Sequence, residues 1–172
     1  MRTLADLMAG PVGPGVVVWI GLRPARRASM LAVPDAMAVA GQGLSGDRHA
    51  ERGLGCGARQ VTLVAEEHLA AVGGFLRREA VAPELVRRNV VVRGANLLAL
   101  RKRRFRLGAA LLEATGECHP CSRMEDALGP GGYNAMRGHG GITARVLESG
   151  PVRVGDVLST DAFGDRSAAQ ER

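Results

Sequence analysis

Residues 16–20 read VVVWI, and this β-branched run decides the fold, because such a run is typical of a buried strand. Similar runs recur along the chain between Gly, Pro and Asn turn signals. The predicted strands lie at residues 16–20, 26–33, 36–40, 59–64, 89–92, 109–113, 142–147 and 152–158. Since helices do not alternate regularly with these strands, we expect a mainly β domain with short helices, built as a barrel or mixed sheet.

Two or three brief helices are expected between the strands. Residues 66–72 combine two glutamates with apolar positions at helical spacing, and Gly73-Gly74 should end that helix. Pro83 suits the first turn of a helix over residues 83–87, and residues 121–128 also have helical spacing.

The length of 172 residues suits one domain. We expect residues 1–14 to form an N-terminal segment, residues 15–160 the folded domain, and residues 161–172 a polar tail that frays. Residues 41–57 are polar and glycine-rich, which predicts a long loop that is either functional or disordered.

Composition argues against several classes of protein. The chain has 46% hydrophobic residues but no apolar run long enough to span a membrane. Its start lacks the pattern of a signal peptide, and three cysteines do not make a disulfide scaffold, so we expect a reducing, cytoplasmic location.

The charge of +6 raises the question of nucleic-acid binding. Lys102 is the only lysine among 23 basic residues, and the aromatic residues are one Trp, one Tyr and three Phe. Single-strand binders need aromatic platforms, and no duplex-binding motif accompanies the arginines, so we do not expect a nucleic-acid partner. Most of the arginine excess is interpreted as compositional.

The segment with the densest chemistry is TGECHPCSRME at residues 115–125. Cys121 stands where a strand gives way to a predicted helix, a position that favours a thiolate, and Arg123 adds positive charge. Four interpretations remain open: one thiolate ligand to a soft redox metal, a structural zinc site, a dithiol formed by Cys118 and Cys121, and two small buried residues.

Three further segments contain candidate binding residues. GLSGDRH at residues 43–49 orients a ligand or builds a turn. RRN at residues 87–89 forms an arginine fork for phosphate or a solvated charge pair. YNAMRGHGG at residues 133–141 contains glycines that allow backbone amides to approach an anion, without matching a nucleotide P-loop. The basic run at residues 101–104 is predicted as an exposed turn.

Five segments taken in order resemble the MOSC domain, the fold found at the C-terminus of molybdenum-cofactor sulfurases. They are GLSGDRH at residues 43–49, RQVTL at 59–63, RNVVVRG at 88–94, PCSRM at 120–124, and MRG, ARV and VGD between residues 136 and 156. The resemblance covers about residues 15–160 and is closest to the small stand-alone bacterial members. It implies a β-barrel like the inserted domain of pyruvate kinase.

The resemblance also implies roles for particular residues. Cys121 would be the catalytic thiolate that ligates molybdenum or carries sulfur. The pterin and phosphate of the molybdenum cofactor (molybdopterin) would be held by Arg59, Arg88, Asn89, Arg48 and Arg137. These roles agree with the chemistry, because arginine forks suit phosphate and soft thiolates suit such metals.

The leading hypothesis is a molybdenum-dependent oxidoreductase that reduces small N-hydroxylated compounds. No ferredoxin-like extension with clustered cysteines is recognisable, so separate electron-donor proteins are expected. The alternative is a non-catalytic carrier of sulfur or cofactor through a Cys121 persulfide.

Overall fold

The computed structural model of the chain describes residues 1–51 and 57–160. The described strands are β1 Gly15–Leu22, β2 Leu31–Val33, β3 Asp35–Val39, β4 Gly43–Leu44, β5 Val61–Ala65, β6 Val90–Arg93, β7 Arg104–Leu107, β8 Ala110–Glu117, β9 Ile142–Glu148, β10 Gly150–Arg153 and β11 Val157–Ser159. The helices are α1 Leu4–Met8, α2 Arg48–Glu51, α3 Glu66–Phe75, α4 Pro83–Val86, α5 Ser122–Leu128 and α6 Gly132–Met136, with a 3-10 helix at Leu97–Leu100.

Seven strands close into a barrel. The order around it is β11-β7-β8-β9-β5-β6-β1, and the pairing of β1 with β11 closes the ring. β5 and β6 are parallel and the other pairs are antiparallel, while β2 extends β1 as a hairpin. A small sheet of β10, β3 and β4 accompanies the barrel. The expectation of a mainly β, barrel-type fold with short helices is confirmed.

The core has two parts that share the wall formed by β5 and β6. The barrel interior contains Leu63, Val90 and Phe105, all fully buried. On the outer face, Val64 and Val91 pack with apolar residues of the helices, including Val72, Met124 and Met136. All five residues of β5 are buried because both faces of the strand are covered, which is why its sequence is apolar except at Thr62.

Several predicted boundaries are wrong for identifiable reasons. The helix that Gly73-Gly74 was expected to end continues to Phe75. Gly73 is there for packing and not as a helix breaker, because a Cβ at this position would come 2.6 Å from the Cα of Ala80. The strand predicted over residues 152–158 is two strands, separated by a turn in which Gly155 has φ +96° and the Asp156 carboxylate accepts from the Arg153 N–H.

Other corrections concern loops. The strand predicted over residues 26–33 begins only at Leu31, because Arg26 and Arg27 form a turn. The glycine-rich segment 133–141 begins within α6, and the segment 41–57 contains β4 and α2. Residues 52–56 and the predicted tail 161–172 lie outside the described residues. None of the helices within residues 1–51 and 57–160 combines the length and apolar content needed to cross a bilayer.

Candidate functional site

A cleft of about 490 Å³ opens at one side of the barrel and is strongly basic. Its lining includes eight arginines: Arg23, Arg26, Arg27, Arg48, Arg59, Arg87, Arg88 and Arg123. Glu117 is the carboxylate in that lining, and Cys121, His49 and His119 supply further reactive side chains. Such a surface attracts anions.

Strand pairing brings the segments of the cleft together. Thr62 of β5 lies opposite Thr143 of β9, which in turn lies opposite Gly116 near the end of β8. On the other side of Thr62, its backbone oxygen accepts from the Asn89 N–H just before β6. The loop after β8, which contains both Cys118 and Cys121, is thereby brought beside the start of β6.

The back of the cleft is formed by a largely buried polar network that we call the inner wall: Arg23, Asp47, Thr62 and Asn89. Asn89 Oδ1 accepts from Arg23 at 2.9 Å, from the Thr62 backbone N–H at 3.2 Å and from the Thr62 hydroxyl at 3.0 Å. Asn89 Nδ2 donates to the Gly21 carbonyl at 3.1 Å and to Asp47 at 2.9 Å. The Asn89 amide is therefore fully occupied within the protein, and its role is to position Arg23 and Asp47.

Asp47 is the anion of the inner wall. It is 2% exposed, and its Oδ2 accepts from Arg23 Nε at 3.0 Å and from the Arg23 backbone N–H at 2.9 Å. Burial raises the pKa of Asp47, but the hydrogen bonds and charge of Arg23, with the His49 N–H, outweigh burial and hold the pKa below its usual value. Asp47 therefore fixes the Arg23 guanidinium at the cleft.

Arg88 is a buried cation held by backbone carbonyls. It donates to Gly140 at 2.8 Å, Val86 at 2.7 Å and Cys118 at 3.1 Å. Burial lowers the pKa of Arg88, although a guanidinium stays protonated in proteins. These bonds need close packing, because a Cβ at Gly140 would overlap the Cys118 oxygen.

The two cysteines of the C-x-x-C segment have different environments. Cys118 is 1% exposed, and its Sγ accepts from Arg59 at 3.0 Å, whereas Cys121 is exposed and borders the cleft. Within residues 1–51 and 57–160, no group of three His, Cys, Asp or Glu side chains is placed to hold a metal, so a structural zinc site receives no support there.

Arg48 and His49 connect the GDRH segment to the cleft. The buried Nε of Arg48 has no hydrogen-bond partner in the part of the chain that the structure describes. Burial, and secondarily the charge of Arg23, lowers the pKa of His49, so that its imidazole is neutral at pH 7. A neutral imidazole can accept a hydrogen bond or a proton from a bound molecule.

The structure brings most, but not all, of the predicted site residues together. Cys121, Arg48, Arg59 and Arg88 line the cleft. Asn89 lies behind them in the inner wall. Arg137 lies elsewhere, in a shallow groove lined also by Phe75, Arg77, Arg78 and His139.

The sequence interpretation missed Arg23, Arg26 and Arg27. Their signal is the segment RPARR at residues 23–27, which places three arginines directly after the strand β1. The predicted hairpin strand over residues 26–33 included Arg26 and Arg27 but not Arg23, and all three arginines were counted with the compositional excess.

The fold has close structural relatives. The YuaD protein from Bacillus subtilis superposes with a TM-score of 0.73 at 19% sequence identity, covering 86% of this chain and 96% of that one. YiiM from Geobacillus stearothermophilus gives 0.67 at 16% identity, covering 85% and 74%. YiiM from Escherichia coli gives 0.61 at 19% identity, covering 88% and 69%.

Sequence comparisons complete the assignment. No curated protein sequence matches the chain. A family model described as the MOSC domain matches residues 45–159, which includes the GDRH segment, the inner wall residues Asp47, Thr62 and Asn89, and Cys121. Because that match spans well over half of the chain, the protein belongs to the MOSC domain family, which is associated with molybdenum cofactor binding.

Proposed function

We propose that the protein binds the molybdenum cofactor in the cleft, with Cys121 as the thiolate ligand and cleft arginines holding the anionic pterin phosphate. The observation that carries this proposal is the convergence of eight arginines and one exposed thiol on a single cleft. Arginine guanidinium groups bind phosphate through charge-assisted hydrogen bonds, and a thiolate is a soft metal ligand.

The residues present fit such a group. A cleft of about 490 Å³ lies within the size range of small-molecule sites. The Nε of Arg48, which has no hydrogen-bond partner among residues 1–51 and 57–160, is a donor that a bound acceptor would satisfy. Arg23 is held at the same surface by Asp47 and Asn89, so its charge is already in place before a ligand arrives.

The roles of the chain's own residues follow from their contacts. Arg88 donates hydrogen bonds to the carbonyls of Gly140 and Cys118, and Arg59 donates one to the Cys118 thiol. These contacts position the loop after β8 and therefore Cys121. Asn89 acts through Arg23 and Asp47 and does not need to touch the ligand.

We further propose an oxidoreductase that reduces small N-hydroxylated compounds. When bound, the molybdenum cofactor supplies two-electron redox chemistry. Conversion of an N–OH group to N–H and water consumes two electrons and two protons, so separate donor proteins must supply the electrons. A reducing, cytoplasmic compartment would keep Cys121 available as a thiol.

The exposure of Cys121 also favours a second candidate, a carrier that holds a persulfide on this thiol. A carrier needs a sulfur that a partner enzyme can reach. This candidate predicts a mass gain of one sulfur atom on Cys121 and no turnover of N-hydroxylated compounds.

The test is the metal and pterin content of protein purified from a host that makes the cofactor. We expect both in the wild type, loss of molybdenum in Cys121→Ala, and a smaller loss in the matched variant Cys118→Ala. The proposal is wrong if the wild type holds neither molybdenum nor pterin. A larger loss in Cys118→Ala would show that the ligand assignment is wrong.

A further inference from the structure

The cleft does not end at Cys121. A second hollow of about 600 Å³, which shares three lining residues with the cleft, is lined by Arg27, Arg87, Ser122, Arg123, Asp126 and Ala127. Arg27, Arg87 and Arg123 line both hollows, whereas the other five cleft arginines line the inner one only: Arg23, Arg26, Arg48, Arg59 and Arg88. Three cations thus stand at the junction, next to the exposed thiol.

Two of these arginines have a backbone conformation that disfavours any side chain. Arg27 has φ +64° and Arg87 has φ +56°, both in the left-handed region that suits glycine. The Arg87 guanidinium also donates to the Ala28 carbonyl at 2.7 Å, which joins the two loops. Strained residues that persist at a cleft are typical of functional positions.

The charges at the junction are not balanced within the described part of the protein. Ion pairs within residues 1–51 and 57–160 do not include Arg27, Arg87 or Arg123. Burial lowers the pKa of Arg87, and the like charges of Arg23 and Arg123 lower it further, against the opposing effects of Asp47 and Cys121. Asp126 adds one carboxylate to the lining, which leaves a net positive hollow.

We propose that Arg27, Arg87 and Arg123 form an anion subsite for the carboxylate or phosphate group of a small substrate that reacts where Cys121 would hold the cofactor. This inference rests on the proposed function, because it takes the group held by Cys121 as the reaction centre. The arginines confined to the inner hollow remain for the cofactor. The substrate class is therefore an anionic compound that spans from the junction to the thiol.

The test uses cofactor-free protein and two alkylating probes of similar size. The Cys121 thiolate displaces iodide from either iodoacetate, which is an anion, or iodoacetamide, which is neutral. The ratio of the two rate constants, followed by peptide mapping of Cys121, reports local attraction for anions. Changes in thiolate fraction affect both rates equally and cancel in the ratio.

We expect the ratio to fall by about two- to threefold in each of Arg27→Gln, Arg87→Gln and Arg123→Gln, the size expected for removing one charge several ångströms from the thiol in a solvated cleft. Arg87→Lys should retain the wild-type ratio because it keeps the charge. Arg153→Gln removes an exposed arginine on β10 that lines neither hollow, and should leave the ratio unchanged. Circular dichroism confirms that each variant is folded.

Competition identifies the anionic group. Inorganic phosphate and acetate are added separately at constant ionic strength. If phosphate slows the alkylation of Cys121 by iodoacetate, the subsite binds phosphate groups. If acetate slows it, the subsite binds carboxylates. The inference is overturned if neither anion slows the reaction, or if the three variants keep the wild-type ratio. Either result is independent of metal content, which tests the proposed function separately.

Discussion

The inner wall and the outer rim of the cleft are neighbours in sequence and opposites in chemistry. We define the outer rim as Arg27, Arg87, Cys121 and Arg123. Arg87 and Asn89 are two residues apart, yet Asn89 is fully buried with its amide satisfied, while Arg87 is half-buried in a strained conformation beside like charges. The buried Asp47, Thr62 and Asn89 of the wall are hydrogen-bonded within the protein, whereas the arginines of the rim form no ion pair in the described residues. We therefore expect substitutions in the inner wall to change mainly the stability of the fold, and substitutions in the outer rim to change mainly the binding of anions.

The largest effect is expected from Asp47→Ala in the inner wall. It leaves Arg23 and the Asn89 amide without their buried partner, and removing one member of a buried pair costs about 3–5 kcal/mol. Urea unfolding measures this loss, which is a large share of the ~5–15 kcal/mol typical of a domain. Asp126→Ala, in the second hollow beside the rim, is the matched control, and we expect a change within about 0.5 kcal/mol. If both variants lose the same free energy of unfolding, the inner wall is no more important for stability than the surface near the rim.

A smaller effect is expected from acid. Because the folded-state pKa of Asp47 is below its ordinary value, the unfolded chain binds more protons at this group, and stability falls as pH decreases. The contribution of Asp47 is complete above about pH 5 and is lost as the pH falls through its folded-state pKa. The free energy of unfolding, measured from pH 6 to pH 3, should have a shallower slope in Asp47→Asn than in the wild type. Parallel slopes would mean that Asp47 titrates alike in both states.

The smallest effect concerns the strained rim. Arg27→Gly should stabilise the protein by up to about 0.5–1 kcal/mol, because relief of the left-handed backbone exceeds the added entropy of the unfolded chain. The same change should lower the iodoacetate preference at Cys121. Arg26→Gly is the matched control, since Arg26 has ordinary φ and glycine there should destabilise slightly. If thermal unfolding shows that Arg27→Gly is less stable than the wild type, the left-handed backbone at Arg27 does not destabilise the protein.

Much of the fold was predictable because β-branched runs specify strands locally. β5 and β6 differ from their predicted ranges by one or two residues at each end, and the turn at residues 101–103 is where the basic run indicated. The helix through Gly73 was not predictable, because a glycine is read locally as a helix breaker, and only the packing against Ala80 shows why a small residue stands there. Strands β10 and β11 were predicted as one strand because local pattern does not show that they pair with different strands. β10 pairs with β3 and β11 pairs with β7, and both partners lie far away in sequence.

At the candidate site too, local sequence predicted some features and the fold determined others. The C-x-x-C spacing drew attention to Cys118 and Cys121 but did not distinguish them, because burial depends on the fold. Arg137 and Asn89 were grouped with the cleft arginines by motif order alone. The structure places Arg137 in another groove and Asn89 behind the cleft surface.

The sequence by itself determined the strand-rich character of the chain, the family to which it belongs and the segment that contains the reactive thiol, because these depend on local pattern and motif order. Only the tertiary structure decided which charges meet. Asp47 reaches Arg23 across 24 positions and Asn89 across 42, and arginines from five separate segments of the chain converge on one cleft. Hydrogen bonding and electrostatic energy depend on distance in space, and barrel closure sets that distance for residues far apart in the chain.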